Sequence, residues 1–321
     1  MVAELALVAW PSPWRALTAL GVEAALGYPD WLHHRAPHPV VWIGRAIETL
    51  ERRWNDPSRS AKARRGLGVL TLTLVAGGAT AAGLALQRLS LTLPGGALLF
   101  TLAASVGLAQ RSLHQHVADV GRALDRGDLP AAREAVARIV GRDTDTLDEC
   151  GVAAAALESL AESFNDAVVA PAFWLAVAGL PGLFAYKAVN TADSLIGHKE
   201  PRWRDFGWAS ARTDDLMNLI PARLAGLLIA MGAGRGLRTM LRDAPHHVSP
   251  NAGWPEAAMA GALGRSLGGA VSYDGVATFR PSFGHGPKPD TADLARGLVL
   301  YRRGCALLWI FLAIGGLAWR L

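Results

Sequence analysis

Two runs of 21 residues, 66–86 and 89–109, contain no charged side chain and are separated only by Gln87-Arg88. Crossing a hydrocarbon layer of about 30 Å takes roughly 20 residues of α-helix. Each run is therefore long enough to span a membrane, and the two-residue break predicts a tight helical hairpin. Burial in a large soluble core is the alternative, but soluble helices of this length keep a polar face, and neither run has one. Only 18% of the 321 residues are charged and 51% are hydrophobic, against about 25% charged in an ordinary soluble domain.

Further apolar stretches lie at 5–27, interrupted by Arg15 and Glu23, at 167–186, at 216–234 with Pro221 and Arg223, and at 304–319. The expectation is an all-α, polytopic integral membrane protein with roughly four to six membrane segments, a single membrane-embedded domain over 1–321. The N-terminus lacks a basic n-region and a small-residue cleavage site, which predicts a retained anchor. Basic residues near segment ends mark the cytoplasmic side. Arg52, Arg53, Arg59, Lys62, Arg64 and Arg65 precede the first long run, and the hairpin returns the chain at Arg111. From 110 to 166 the chain is soluble in character, with Ala-rich amphipathic helices expected over 129–141 and 147–162, so it reads as a cytoplasmic helical insert. Lys187, Lys199, Arg202, Arg204 and Arg212 place the next loop on the same side. That conflicts with a simple crossing by 167–186. Pro171 and Gly179-Leu-Pro-Gly182 break this run, which either dips and returns through a protein-lined cavity or crosses plainly.

Several functions lose support. The net charge of +5 comes from dispersed basic residues without a recognition motif, so no nucleic-acid partner is expected. Cys150 and Cys305 are far apart and imply no disulfide framework. There is no P-loop, and Gly232-Ala-Gly234-Arg-Gly236 lacks dinucleotide spacing. The pairs His33-His34, His114-Gln-His116 and His246-His247 have no companion ligands in a zinc pattern. His38 reads as a capping or core histidine.

Chemistry concentrates elsewhere. Glu158, Glu162 and Asp166 recur every four residues and share one helix face. Carboxylates held so close repel unless a cation or donors lie between them, which points to a divalent metal carrying phosphate. The loop from Lys187 to Arg223 then gathers Asn190, Asp193, Arg202, Arg204, Arg212, Asp214, Asp215, Asn218 and Arg223. Acids beside guanidinium groups suit a metal-bound polyphosphate, or equally a salt-bridged loop. Ser249-Pro-Asn251-Ala-Gly-Trp254-Pro-Glu256 sets an Asn, a Trp and an acid in a backbone fixed by turn formers. Polar active-site loops are therefore expected within 187–300.

Eight ordered segments carry a resemblance: His38-Pro-Val-Val-Trp-Ile-Gly-Arg45, Glu158-Ser-Leu-Ala-Glu162, Val168-Val-Ala-Pro171, Asn190-Thr-Ala-Asp193-Ser194, Arg204-Asp-Phe-Gly-Trp-Ala-Ser-Ala-Arg212, Asp214-Asp215, Pro221-Ala-Arg223 and Ser249 to Glu256. In this order the chain resembles the cobalamin-biosynthesis CobD/CbiB family, the adenosylcobinamide-phosphate synthases. The resemblance implies a multi-pass enzyme of the bacterial inner membrane that joins adenosylcobyric acid to (R)-1-amino-2-propanol phosphate, or a related aminoalcohol, by an ATP- and Mg²⁺-dependent amide ligation. Its implied partners are that corrinoid, the aminoalcohol phosphate and the lipid bilayer, with room for a homo-oligomer or association with other late cobalamin enzymes. Glu158, Glu162, Asp166, Asp214 and Asp215 become candidates for Mg²⁺ coordination, and the catalytic set is Glu158, Glu162, Asp166, Asp215 and Arg212. Arg204, Arg212, Arg223 and Lys187 would carry phosphate charge. Asn190, Asp193, Asn251 and Glu256 would orient the corrinoid. The chain departs from the family at Ser163, Asn165 and Ala167, where relatives often read Glu-Asn-x-x-Asp-Gly, and at Tyr28, where many have Asp. Two other classes remain: an AmpE-like membrane regulator on the same scaffold, and an ion-coupled transporter using acids within the membrane.

Overall fold

A computed structural model of the protein describes residues 12–28, 35, 37–273 and 275–318. His33, His34 and the beginning of the expected N-terminal anchor lie outside these. Among the described residues the first helices are α1 (Pro13–Leu26), α2 (Pro39–Trp54), α3 (Ala61–Thr92), α4 (Gly96–Ser105), α5 (Gln110–Asp125), α6 (Leu129–Ala137) and α7 (Glu149–Phe164). A π-helical turn (Asn165–Val169) then leads into α8 (Ala170–Ile196). Beyond it come α9 (Trp208–Ala233), α10 (Leu237–Asp243), α11 (Gly253–Leu263), an antiparallel pair β1 (Leu267–Tyr273) and β2 (Val276–Phe283), and α12 (Thr291–Ala318).

Five helical runs among the described residues are long and apolar enough to cross a membrane: Ala61–Thr92, Gly96–Asp125, Glu149–Ile196, Trp208–Ala233 and Thr291–Ala318. In Ala61–Thr92 only 17% of the apolar window is buried in the protein. Val69, Leu70 and Leu74 stand exposed, a surface that suits lipid rather than water. The protein is an all-α polytopic membrane protein, with one small hairpin added.

The chain forms two compact units, one of Met1–Ala109, Ala170–Met217 and Leu312–Leu321, the other of Gln110–Val169 and Asn218–Phe311. In the first, α3 packs along α8. At their crossing, a Cβ added to Gly83 would lie 2.7 Å from the carbonyl oxygen of Leu180, so only glycine lets the two backbones approach this closely. At the same level α8 breaks: Gly179 has φ 66° and Pro181 follows within the helix. The break frees the N–H of Leu180, which donates to Oε1 of Gln87 at 3.0 Å. Left without a partner in an apolar layer, that amide would cost about 1–3 kcal/mol.

This contact corrects the expected hairpin at Gln87-Arg88. Gln87 turns inward as a cap and Arg88 stays exposed, so α3 runs on to Thr92. The chain reverses instead at Leu93-Pro94-Gly95, where Gly95 takes φ 76°, the stronger turn signal of the two. The expected loop from Lys187 to Arg223 is also mostly helical, divided between α8 and α9. Its hydroxyls turn back on their own helix, Thr191 to the carbonyl of Lys187 at 2.6 Å and Ser194 to that of Asn190 at 2.9 Å, so polar composition does not break it.

Glu51 of α2 and Arg64 of α3 are fixed to the turn after α8. Glu51 accepts two hydrogen bonds from Arg202, at 3.1 and 3.0 Å, and one from Asn55 at 2.9 Å. Arg64 donates to Asn55 at 2.8 Å and to the carbonyl of Arg202. The two segments that the charge rule placed on one side of the membrane are therefore in contact. His38 caps α2 by accepting from Val40 N at 3.2 Å and lies 3.0 Å from the carbonyl of Val106, the structural role expected of it.

In the second unit, α6 and α7 begin on aspartates, Asp128 accepting from Ala131 N at 3.1 Å and Asp148 from Gly151 N at 2.7 Å. Leu157 and Leu160 on α7 are fully buried, each contributing about 1.5–3 kcal/mol. Tyr301 of α12 is buried against Phe164 and donates to the carbonyl of Gln110 at 2.7 Å. The β-hairpin is held by acids. Asp143 accepts from Ser272 Oγ at 2.6 Å and from Gly275 N at 2.9 Å, and Asp243 accepts from Gly284 N at 2.8 Å.

Candidate functional site

Two of the motif segments meet in the second unit. Ser249 Oγ accepts from Asn251 N at 3.2 Å and Ala252 N at 3.3 Å, a turn that launches α11 at Gly253. A Cβ on Gly253 would come within 2.5 Å of the carbonyl oxygen of Ala244, so the helix start can press against the preceding turn only with glycine. Glu256 then falls in the first turn of α11, wholly buried.

From α7 comes Glu158, also buried. Its Oε2 accepts from Arg142 at 2.8 Å and its Oε1 from Gly268 N at 2.8 Å. That amide is aimed by a β-bulge, a register shift between Gly268 and Ala270 with φ 82° at Gly268. From β2, Arg280 reaches across the group: 3.4 Å to Oε1 of Glu256, 3.8 Å to Oε2 of Glu158 and 3.1 Å to Nε2 of His247. His247 lies 3.6 Å from Oε1 of Glu256. Oε2 of Glu256 is buried without a hydrogen-bond partner. Burial, and then the nearby charges of Glu162 and Glu158, push the Glu256 carboxyl well above the usual carboxylate range, while Arg280 and Arg142 oppose the shift.

The other expected residues are placed as follows. In the second unit, Glu162 is exposed. Asp166 accepts from Asn165 at 2.7 Å, and Asn165 also donates to Asn218 at 2.8 Å. The departure from the family pattern at 165 thus falls in the π-helical turn. Arg223 lies 4.5 Å over the ring of Trp254 and donates to the carbonyl of Leu219 at 2.6 Å. Asn251 is buried beside Glu256's helix start. In the first unit, Asn190 donates to Asp214 at 3.2 Å and Arg212 lies 3.8 Å from Asp215. Arg204 is exposed and Asp193 half-buried. Lys187 lines an apolar cavity of about 640 Å³ together with His38, Trp42, Val106 and Phe184.

Among the described residues no group of three or more His, Cys, Asp or Glu side chains is arranged to hold a metal ion. The stripe Glu158, Glu162, Asp166 does not gather into one: Glu158 is buried against Arg142 and Gly268, Glu162 is exposed, and Asp166 lies in the π-helical turn against Asn165. Asp214 and Asp215 are consecutive on α9, where neighbouring side chains do not face each other, and their partners differ, Asn190 for Asp214 and Arg212 for Asp215. Among the described residues His114, His116, His246 and His247 take part in no metal-holding cluster, and no disulfide joins Cys150 and Cys305.

The profile of the CobD/Cbib protein family matches residues 16–301. The chain belongs to that family. It is 51% identical over 310 residues to the cobalamin biosynthesis protein CobD of Rhodobacter capsulatus, covering 94% of this chain and 97% of the relative. The proteins of the same name in Rhizobium meliloti and Brucella suis are 47% and 45% identical, over 93% and 88% of this chain and 95% and 90% of theirs. No solved structure matches it. Membership carries a role in cobalamin biosynthesis.

Three members of the buried group in this CobD/Cbib protein were not anticipated: Arg142, His247 and Arg280. Arg142 and Arg280 are single arginines in segments without a motif. The hairpin that carries Arg280 did have a signal, Asp274-Gly275 between Tyr273 and Val276, a strong two-residue hairpin turn.

Proposed function

We propose that the protein is an ATP-dependent amide ligase that joins adenosylcobyric acid to (R)-1-amino-2-propanol phosphate, or a related aminoalcohol phosphate, giving adenosylcobinamide phosphate. A free carboxylate is too poor an electrophile to react with an amine. In the proposed reaction a corrinoid carboxylate oxygen attacks the γ-phosphorus of ATP and ADP departs, leaving an acyl phosphate. The amine nitrogen then attacks the acyl carbon, phosphate departs, and one proton is lost from nitrogen.

One observation carries this reading: two family segments far apart in sequence, Glu158 to Glu162 and Ser249 to Glu256, converge on a buried group of acids and arginines. Such a group can order charged reactants away from water, where oriented charges act most strongly. Within the first unit taken by itself, a carboxylate of Asp214 or Asp215 is proposed to meet magnesium and Arg212 to meet phosphate.

The test uses protein purified in detergent with adenosylcobyric acid, the aminoalcohol phosphate and Mg-ATP. The expected result is the amide, ADP and phosphate in equal amounts. Uptake of a corrinoid without ATP consumption, or the absence of any amide, would contradict it.

A further inference from the structure

The buried group in the second unit has a polarity that discriminates between reactants. Glu256 presents an oxygen, Oε2, that is shut off from water and has no donor. Acceptors in that condition are rare, since leaving a charged one unmatched costs more than a single hydrogen bond returns. The charges around it are also uneven. Arg142 is committed to Glu158 at 2.8 Å, the length of a full charge-assisted hydrogen bond. Arg280 lies 3.4 Å from Glu256 and 3.8 Å from Glu158, both longer than the Arg142–Glu158 contact. Glu162 adds a third negative charge from an exposed position on α7.

We propose that this group of side chains binds the amine-bearing substrate, with its ammonium group against Oε2 of Glu256 and facing Glu162, and its phosphate against the guanidinium of Arg280. The inference rests on the ligase reading and assigns one of its substrates to a place. An ammonium group supplies the donors that Oε2 lacks and lies between two acids that otherwise repel. The reactant carboxylate would suffer the opposite, since Glu256, Glu162 and Glu158 all repel it. A metal ion is disfavoured because the guanidinium groups of Arg142 and Arg280 already stand beside these acids. The role differs from the corrinoid-orienting one that the family resemblance suggested for Glu256. A substrate with one positive and one negative end matches a group in which acids and an arginine stand side by side.

Steady-state kinetics on the full chain in detergent tests this. Glu256→Gln and Glu162→Gln should each raise KM for the aminoalcohol phosphate by about tenfold or more, with KM for the corrinoid acid and for ATP unchanged. Arg280→Lys should raise the same KM, and should erase the preference for phosphorylated over unphosphorylated aminopropanol. Glu162 is exposed, so its variant carries the test if the Glu256 variant does not fold. A rise confined to the corrinoid or ATP, or no rise in any KM, would overturn the proposal. If the unaltered protein forms no amide, the ligase reading fails and calorimetry tests the buried group separately. Binding of aminopropanol phosphate but not of isopropyl phosphate, lost in Glu162→Gln, sustains it, whereas equal binding of both or of neither overturns it.

Discussion

Glu51 and Glu256 are both buried glutamates on helices outside the membrane-spanning runs, and their surroundings act in opposite directions. Glu51 has every oxygen matched by Arg202 and Asn55, and although burial alone would raise its pKa, those hydrogen bonds and the Arg202 charge bring it below the ordinary value. Glu256 is matched on one side only, at 3.4 Å, and burial drives it upward. A carboxylate that helps hold a fold looks like the first. One that destabilises the empty protein persists when something else benefits from it, as strained or unmatched groups at functional sites do. The contrast separates a fastening between segments from a place kept for a ligand.

The largest expected effect is on turnover. Glu256→Ala should lower kcat/KM for amide formation by about a hundredfold or more, measured by product formation with all three substrates present. Activity within a few-fold of the unaltered protein would put Glu256 in the same class as Glu51. Next is Glu51→Ala, which leaves Asn55 and Arg202 without their acceptor. It should lower the thermal midpoint by several degrees while kcat of the folded fraction is unchanged, and a selective loss of kcat would break the distinction from the other side.

Of the acid stripe, Glu158 joins the Ser249 segment's Glu256 in the buried group, while Glu162 is exposed and Asp166 falls in the π-helical turn, where the four-residue spacing no longer keeps one face. The membrane runs were legible because length without charge is a local property. What sequence did not supply was partnership. Gln87 reads as an interruption of an apolar run until Leu180 is beside it, and Arg142 and Arg280 are ordinary surface arginines until Glu158 and Glu256 draw them in. The reading of 187–223 as a loop failed because charge was taken for irregularity, when Thr191 and Ser194 bond back to the helix and Asn190 faces Asp214.

A smaller effect sharpens the same comparison through pH. For Glu51 the folded value lies below the ordinary one of about 4.3, so its contribution to stability is present above that value and is lost as pH falls through the folded value. For Glu256 the folded value is raised, so its contribution is present at low pH and is lost as pH rises from the ordinary value through the folded one. Glu51→Gln should therefore approach the unaltered protein in stability as the medium is acidified, and Glu256→Gln should gain on it as the medium is made alkaline. Parallel melts from pH 4 to 8 check both signs, and two variants with the same slope would remove the contrast. Smallest is Gln87→Leu, which strands the amide of Leu180. It should cost about 1–3 kcal/mol in denaturant titrations without altering any KM, marking the first unit's helix break as structural.

The most direct test is a thermal melt at pH 8 of the unaltered protein and Glu256→Gln, each with and without (R)-1-amino-2-propanol phosphate. The account predicts that without ligand the variant melts higher, and that only the unaltered protein gains when the ligand is added. An unaltered protein that melts higher when empty, with both proteins stabilised equally by the ligand, would contradict it.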